Sequence, residues 1–565
     1  MPGIVTAAQT SPLTRAIETA AILAAAFTTL LAVSVPIYVD EVIWLMMRSR
    51  FLLDGGRTIL FAYPSCADAV AAPPPWFFIP FRAAHAWQYA GLDTPLRIRL
   101  TGVGMAVAVF GVLLYLLRRM LPAPVATWRL AAIMAAFANL GVLPFLLALD
   151  RPEPQLLAAA GLLLLLPLAR NGSAPRAAWR SPMAAGVALA VSAAMLSMHP
   201  KALFFLPLMA VAAWYLVADR RWAVVTLGLL LMLTWASYGD WQVRMSCPND
   251  DHMRAIMEQH SLSPALLADP VAFLGALVRN QMGGYHPLSY FSAILFQQRY
   301  MSDWLPPGQW LGWWSRIANG LLIGVIGGLS LMFGVAMIRR AGLAWRRLTL
   351  ERELCLLLAL LASLACLTIF QVIKNAYEAS LVVPLFGLAV MVAVQRDLGP
   401  LWTRLRRSGG TVVMVVSLVS QATLWTVFVP QAVASWTSGG YLSAQSESVS
   451  AFAYASVAPR VLATARHCGI EAKSSAVHLV VDPLTYPALA QTREPTLIGY
   501  LTGGYGQGIH DLEGLLANLG SAGAVVGCHL LPPDLRGRAV QHGEFCCLPA
   551  FTPSAFTQST FTRRQ

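Results

Sequence analysis

Apolar residues in this chain come in runs of roughly twenty, separated by short stretches that carry most of the charge. Wound as an α-helix, a run of that length spans the hydrocarbon core of a bilayer. The pattern predicts about eleven membrane spans. They run from Thr19 to Tyr38, Leu100 to Leu117, Leu130 to Leu149, Leu156 to Ala169, Met183 to Met198 and Ala202 to Val217. The rest run from Ala223 to Tyr238, Ile317 to Ile338, Leu354 to Ile373, Ser380 to Val394 and Val412 to Val429. Beyond residue 430 the pattern shortens. Helix-like periodicity runs from Ser456 to His467 and from Asp511 to Leu519. Strand-like runs cover His478 to Val481, Thr496 to Ile498, Ala524 to Val526 and Glu544 to Leu548. Alternation of this kind predicts a small α/β domain. The expected fold is mainly α: a polytopic membrane helical bundle over 1–430, with long outer loops at 39–99 and 239–316, then a soluble α/β domain over 431–565.

Charge fixes the expected orientation. Arg118–Arg119, Arg170/Arg176/Arg180, Arg220–Arg221, Arg339–Arg340/Arg346–Arg347 and Arg396/Arg404/Arg406–Arg407 all fall on one side when spans alternate. The positive-inside rule makes that side cytoplasmic. The N-terminus is then inside and the C-terminal domain outside, which in a bacterium is the periplasmic face of the inner membrane. A cleaved signal peptide is the other reading of the first run. Glu18 on its flank and the lack of a small-residue cleavage pattern count against it. The net charge of +13 therefore reads as loop arginines rather than a nucleic-acid surface. Composition agrees: 57% hydrophobic and 12% charged, with a mean hydropathy of +0.60.

The outer loops are rich in aromatics. Pro73-Pro74-Pro75-Trp76-Phe77-Phe78 lies in the first, after an amphipathic stretch from Val42 to Leu53. Tyr285, Tyr290, Phe291, Tyr300, Trp304, Trp310, Trp313 and Trp314 lie in the second, with a surface helix expected from Pro264 to Val278. Trp- and Phe-rich amphipathic segments favour the membrane interface.

Of eight cysteines, Cys355 and Cys366 fall inside a span and read as inert thiols. Cys66, Cys247, Cys468, Cys528, Cys546 and Cys547 all map outside, where an even number predicts disulfides. A bond between Cys66 and Cys247 would join the two long loops, leaving two bonds for the tail. The spacing does not determine the pairing.

Candidate chemistry lies at the outer span ends. Asp40-Glu41 places two acids where the first helix leaves the bilayer, followed by Trp44, Arg48 and Asp54-Gly55-Gly56. Ionisable groups in such places mark functional sites. His199-Pro200-Lys201 forms a turn between the fifth and sixth spans, expected to face the outer headgroups. Lys374, Tyr377 and Glu378 open the tenth span. Lysine is rare in the chain, and Lys201 and Lys374 both sit outside, where an ammonium suits a phosphate. Polar loop turns and a snorkelling lysine are the ordinary alternatives. His286, beside Tyr285, is a candidate for a loop over the site. Asp250-Asp251-His252 is too small a set to carry a metal site, and no metal or other cofactor is expected.

An acidic pair after the first span, a juxtamembrane stretch and then a Gly resembles the GT-C superfamily of glycosyltransferases, which includes protein O-mannosyltransferases and lipid A aminoarabinose transferases. The segment from Lys374 to Leu385, with its Tyr377 and Pro384, resembles the family's late segment. It departs from it in having Glu378 after the tyrosine and no Arg before it. The resemblance implies an inverting transfer of a sugar from a polyprenyl-phosphate donor to an extracytoplasmic glycan, lipid or protein of the cell envelope. Asp40 would be the base and Glu41 a supporting acid. Lys201, His199, Lys374, Tyr377, Glu378, Arg48 and His286 would contact the donor phosphate or sugar. The expected partners are that donor, its acceptor and membrane lipid, with no nucleic acid. The rivals are an O-antigen-ligase or polymerase type of protein and a non-catalytic transport or assembly protein.

Overall fold

The computed structural model describes residues 11–37, 41–45 without 43, 74–88, 94–121, 126–169, 180–245, parts of 269–278, 289–296, 312–347, 351–370, 376–395, 400–438, 453–470, 478–489, 494–497 and 521–549 without 532. The chain forms two compact units. One comprises Met1–Val33, Gly102–Tyr238 and His260–Pro430, and the other Ser34–Thr101, Gly239–Gln259 and Gln431–Gln565.

The first unit has helices and turns but no strand among its described residues. Its helices are α1 (Pro12–Leu31), α3 (Pro95–Met120), α4 (Thr127–Ala138), α5 (Leu143–Leu147), α6 (Pro152–Ala169), α7 (Arg180–Met198) and α8 (Leu206–Leu216). They continue with α9 (Arg220–Met245), α10 (Ser289–Ser292), α11 (Trp313–Arg347), α12 (Arg352–Phe370), α13 (Ala379–Ala393) and α14 (Pro400–Ser438). The helix α2 (Ile79–Gln88) belongs to the second unit, as do the ends of α3, α9 and α14. Among the described residues, eight helices are long and apolar enough to cross a membrane. Each of the eleven expected spans corresponds to a helix or helix pair, and the chain is a multi-pass membrane protein. Three expected spans are not among those eight: the third, with 12 residues in α4; the sixth, a 3-10 turn at Pro200–Phe205 leading into α8; and the ninth, α12.

The third span breaks where a single helix was expected. It stops at Ala138, turns through Gly141 at φ 55° and resumes as α5. A Cβ at Gly141 would lie 1.9 Å from the Ile294 carbonyl oxygen, so only glycine fits. The break frees backbone carbonyls that must find partners away from water. Gln421 of α14 supplies them, its Nε2 donating to Asn139 O and, at 3.2 Å, to Gly141 O. Its Oε1 accepts from Thr28 Oγ1 of α1 at 2.8 Å.

Part of the second long loop is likewise not at the surface. Tyr290 and Phe296 are buried. Val142 N donates to Ile294 O at 3.1 Å, and Asn319 Oδ1 accepts from Phe296 N at 3.0 Å. The aromatic periodicity of an outer loop thus conceals a segment packed in the bundle. The expected surface helix from Pro264 to Val278 and the stretch from Val42 to Leu53 lie largely outside the described residues.

The second unit is built on a five-stranded sheet of order β2-β1-β3-β5-β4, with β1 (His478–Val481), β2 (Glu494–Leu497), β3 (Ser521–Gly527), β4 (Val540–His542) and β5 (Phe545–Pro549). β1 pairs in parallel with β2 and β3, while β5 is antiparallel to β3 and β4. Helix α15 (Tyr454–His467) packs Val457 and Val461 on Leu479, Val481, Val525 and Phe545, in a core that also takes in Ile37, Val42 and Ile98. Two disulfides close it, Cys468–Cys547 and Cys528–Cys546. Cys355 and Cys366 are free thiols. Cys66, Cys247 and the helix expected from Asp511 to Leu519 lie outside the described residues.

Candidate functional site

Polar side chains from four separate chain segments converge at one end of the bundle. The Asp150–Pro154 turn leads into α6, with Pro152 opening the helix and Glu153 in its first turn, where a carboxylate complements the helix dipole. Pro200 stops α7 from continuing and starts the 3-10 turn that carries Lys201. The third segment is the 3-10 turn Ala376–Glu378, which delivers Glu378 to the start of α13. The fourth is α10, with Tyr290.

Lys201 is the hub. Its Nζ donates to Glu153 Oε1 at 2.6 Å and lies 2.7 Å from Glu378 Oε1. Both carboxylates are fully buried and Lys201 is nearly so. Arg151 Nε donates to Glu153 Oε2 at 3.3 Å, and its guanidinium carbon lies 3.5 Å from the centre of the Tyr377 ring. Lys201 Nζ lies 5.1 Å from the same ring. Tyr377 is half-buried, so a cation–π stack forms one side of the cluster. His199 caps the turn, its Nδ1 accepting from Lys201 N at 3.0 Å. Burial, then the neighbouring Lys201 ammonium, hold its imidazole well below the ordinary histidine range. Burial, then Glu378, push the Tyr290 phenol well above its ordinary value. Carboxylates buried in this way depend on the cation between them.

Four residues singled out in the sequence, His199, Lys201, Tyr377 and Glu378, meet here. Lys201 does not face the headgroups as expected; its ammonium points inward, into an ion-pair network. Arg151, Glu153 and Tyr290 were not anticipated. The Asp150-Arg151-Pro152-Glu153-Pro154 run reads as a polar turn, and its one signal is alternating charge abutting an apolar span. An apolar cavity of about 70 Å³ lies between α3, α4, α6 and α13, with Pro154, Leu113, Phe137 and Pro384 among its walls.

Glu41 belongs to the second unit. Arg99 grips it with two hydrogen bonds, Nη1 to Oε1 at 2.5 Å and Nη2 to Oε2 at 2.6 Å. The same guanidinium donates from Nε to Val35 O at 2.8 Å and from Nη2 to Pro36 O. Both side chains are fully buried. Glu41 thereby pins the chain that leaves α1. Asp40, Arg48, His286 and Lys374 lie outside the described residues. Among the described residues, no three His, Cys, Asp or Glu side chains gather to hold a metal ion.

No family model matches the chain, and no curated protein matches it. Among solved structures, the chain is similar to the crystal structure of ArnT from Cupriavidus metallidurans bound to undecaprenyl phosphate, at 13% identity over 95% of this chain and 98% of that one, with a TM-score of 0.49.

Proposed function

We propose that this membrane protein is a glycosyltransferase that moves a sugar from a polyprenyl-phosphate carrier to an acceptor on the outer face of a bacterial inner membrane. The observation that carries the reading is the meeting of Lys201, Glu378, Tyr377 and His199 with Arg151 and Glu153 at one end of a membrane bundle. A lipid-linked phosphate needs cations fixed at the depth of its headgroup and an apolar space for its chain. Arg151 and Lys201 would supply the charge, held in place by Glu153 and Glu378. The apolar cavity between α3, α4, α6 and α13 reaches Pro154, the residue after Glu153. Disulfides in the tail domain support its placement in an oxidising compartment.

In this reading the acceptor hydroxyl or amine attacks the anomeric carbon as the phosphate leaves, inverting that centre. Asp40 takes the proton from the nucleophile, which at neutral pH is otherwise weak. Glu41 holds the segment bearing Asp40 through Arg99. Phosphate charge developing on departure is met by Lys201 and Arg151, with Lys374 as a further cation. A transport role draws on the broken third span, since broken helices often bind substrates or ions. Its freed carbonyls are taken by Gln421, which leaves that site filled.

Purified protein in lipid nanodiscs, offered a panel of polyprenyl-phosphate sugars with and without a chelator, tests the proposal by mass spectrometry of product and released carrier. Transfer is expected, with a loss of roughly 10²–10⁴-fold in Asp40→Asn. Equal rates in the two proteins would remove Asp40 from the chemistry. Loss of transfer on chelation would add a metal ion to the reaction.

A further inference from the structure

In the tail domain, two pairs of side chains cross between helix α15 and the β4–β5 hairpin. Arg460 lies about two turns before His467 on α15, so both project from one side of the helix. Arg460 Nη1 lies 2.7 Å from Glu544 Oε1. His467 meets His542 of β4, with ring centres 5.2 Å apart and planes tilted by 32°. The first pair joins opposite charges. The second joins two copies of the same group, which have no charge complementarity to bring them together.

Both histidines are exposed, and both sit on rigid elements. His467 Nδ1 lies 3.0 Å from Ala463 O, one turn back along the helix. A carbonyl oxygen can only accept, so Nδ1 carries the proton and Nε2 keeps its lone pair. A ring N–H donated to the backbone in this way fixes the tautomer and the ring orientation, as it does behind metal-bound histidines. The next residue, Cys468, is bonded to Cys547 of β5, and His542 pairs with Phe545 of the same strand. Disulfide and strand ladder together hold the two imidazoles at a set spacing. Two imidazoles on one tetrahedral ion, with metal–nitrogen bonds of about 2.0–2.1 Å, have ring centres roughly 5 Å apart.

We propose that His467 and His542 chelate a divalent transition-metal ion of the zinc and copper class, with one imidazole nitrogen from each and water in the remaining positions. Imidazole suits these ions, whereas Mg²⁺ and Ca²⁺ take oxygen ligands. The neighbouring Arg460 does not compete for the site, since its charge is met by Glu544. β4 is at the edge of the sheet, so the ion fastens it to α15 as well as to β5. The site lies within the second unit and is independent of the glycosyltransferase reading.

Calorimetric titration of Zn²⁺ into tag-free, full-length protein tests this, in detergent at pH 7.5 after chelator treatment and dialysis. Wild type is expected to take up zinc at a site whose affinity falls about tenfold or more in His467→Gln and equally in His542→Gln. Both positions are exposed, so the unfolding midpoints without zinc should match wild type. Zinc should then raise the midpoint of wild type alone. No uptake by wild type would overturn the proposal. Equal uptake by wild type and both variants would place the ion elsewhere and overturn it too. Loss in one variant only would mean a single ligand and would overturn the chelate.

Discussion

Each of the two units buries an ion-pair centre, and the two are made differently. In the second unit Glu41 and Arg99 form a closed pair. Arg99 uses Nε and both terminal nitrogens on Glu41 and two backbone carbonyls, and neither side chain reaches solvent. In the first unit one lysine is shared between two carboxylates, with Arg151 and a half-buried tyrosine alongside. A closed bidentate pair has spent its hydrogen-bonding capacity on holding a chain in place. A shared ammonium, with two carboxylate partners, keeps a third donor. The contrast is that between a latch and the site proposed above.

Substitution sharpens the contrast most at Lys201. Lys201→Met takes the ammonium from two buried carboxylates and leaves Glu153 with Arg151 alone, which costs about 3–5 kcal/mol. Thermal unfolding in detergent reads this as a clear drop in midpoint. The triple change Glu153→Gln, Lys201→Met, Glu378→Gln removes the charges together and is expected to recover most of the stability. Sugar transfer is expected to stay absent in the triple variant. A stable and active triple variant would make the cluster structural only.

Arg99→Met should carry a similar stability cost, about 3–5 kcal/mol, because buried Glu41 loses its guanidinium. Here the double change Glu41→Gln, Arg99→Met is expected to restore both stability and transfer, measured per folded molecule. Loss of transfer in a stable double variant would give Glu41 a chemical role and erase the distinction between the two centres.

These expectations also show what the sequence made legible. The spans were readable because bilayer thickness fixes their length and hydropathy, and Pro12–Ser34, Pro95–Met120 and Trp402–Ser438 overlap the runs that predicted them. The strand His478–Val481 has the bounds read from its β-branched run. The break at Gly141 was not readable, since it rests on Gln421, 280 residues away, and on a close approach of Ile294. At the site, lysines stood out by rarity, and His199 by its place before a proline. Glu153 was hidden because an acid between two prolines looks like a solvated turn until Lys201 is seen to reach it. β4 was missed because its three residues are all exposed and show no buried face; it is an edge strand hydrogen-bonded to β5.

The second unit is also held covalently, which yields a smaller, comparative effect. Cys468–Cys547 spans 79 residues and Cys528–Cys546 spans 18. Loop-closure entropy makes the longer bond worth more by about 1.3 kcal/mol. Paired Cys→Ala variants, compared by denaturant unfolding of the whole protein, should rank in that order. Cys547 is fully buried while Cys528 is only half-buried, which works in the same direction. The reverse order would mean that strain or residual structure outweighs chain entropy in this domain.

The smallest expected effect concerns protons, and it falls on the first unit. Burial and Lys201 keep His199 neutral in the folded protein well below its ordinary titration range. In the unfolded chain the same imidazole takes up a proton near pH 6.5, as a free histidine does. Below that pH the unfolded state binds more protons than the folded state, so stability falls as pH falls. The slope attributable to this one group is at most about 1.4 kcal/mol per pH unit. It begins as pH drops through the unfolded value and ends only at the depressed folded value. His199→Asn preserves a side-chain oxygen to cap Lys201 N and removes the titration. Unfolding midpoints of wild type and His199→Asn, measured from pH 7.5 down to 5.5, should run together above pH 7 and part below 6.5, with the variant falling less. Parallel curves would mean that His199 is protonated freely in the folded protein, and that the cluster around Lys201 is open to solvent from the histidine side.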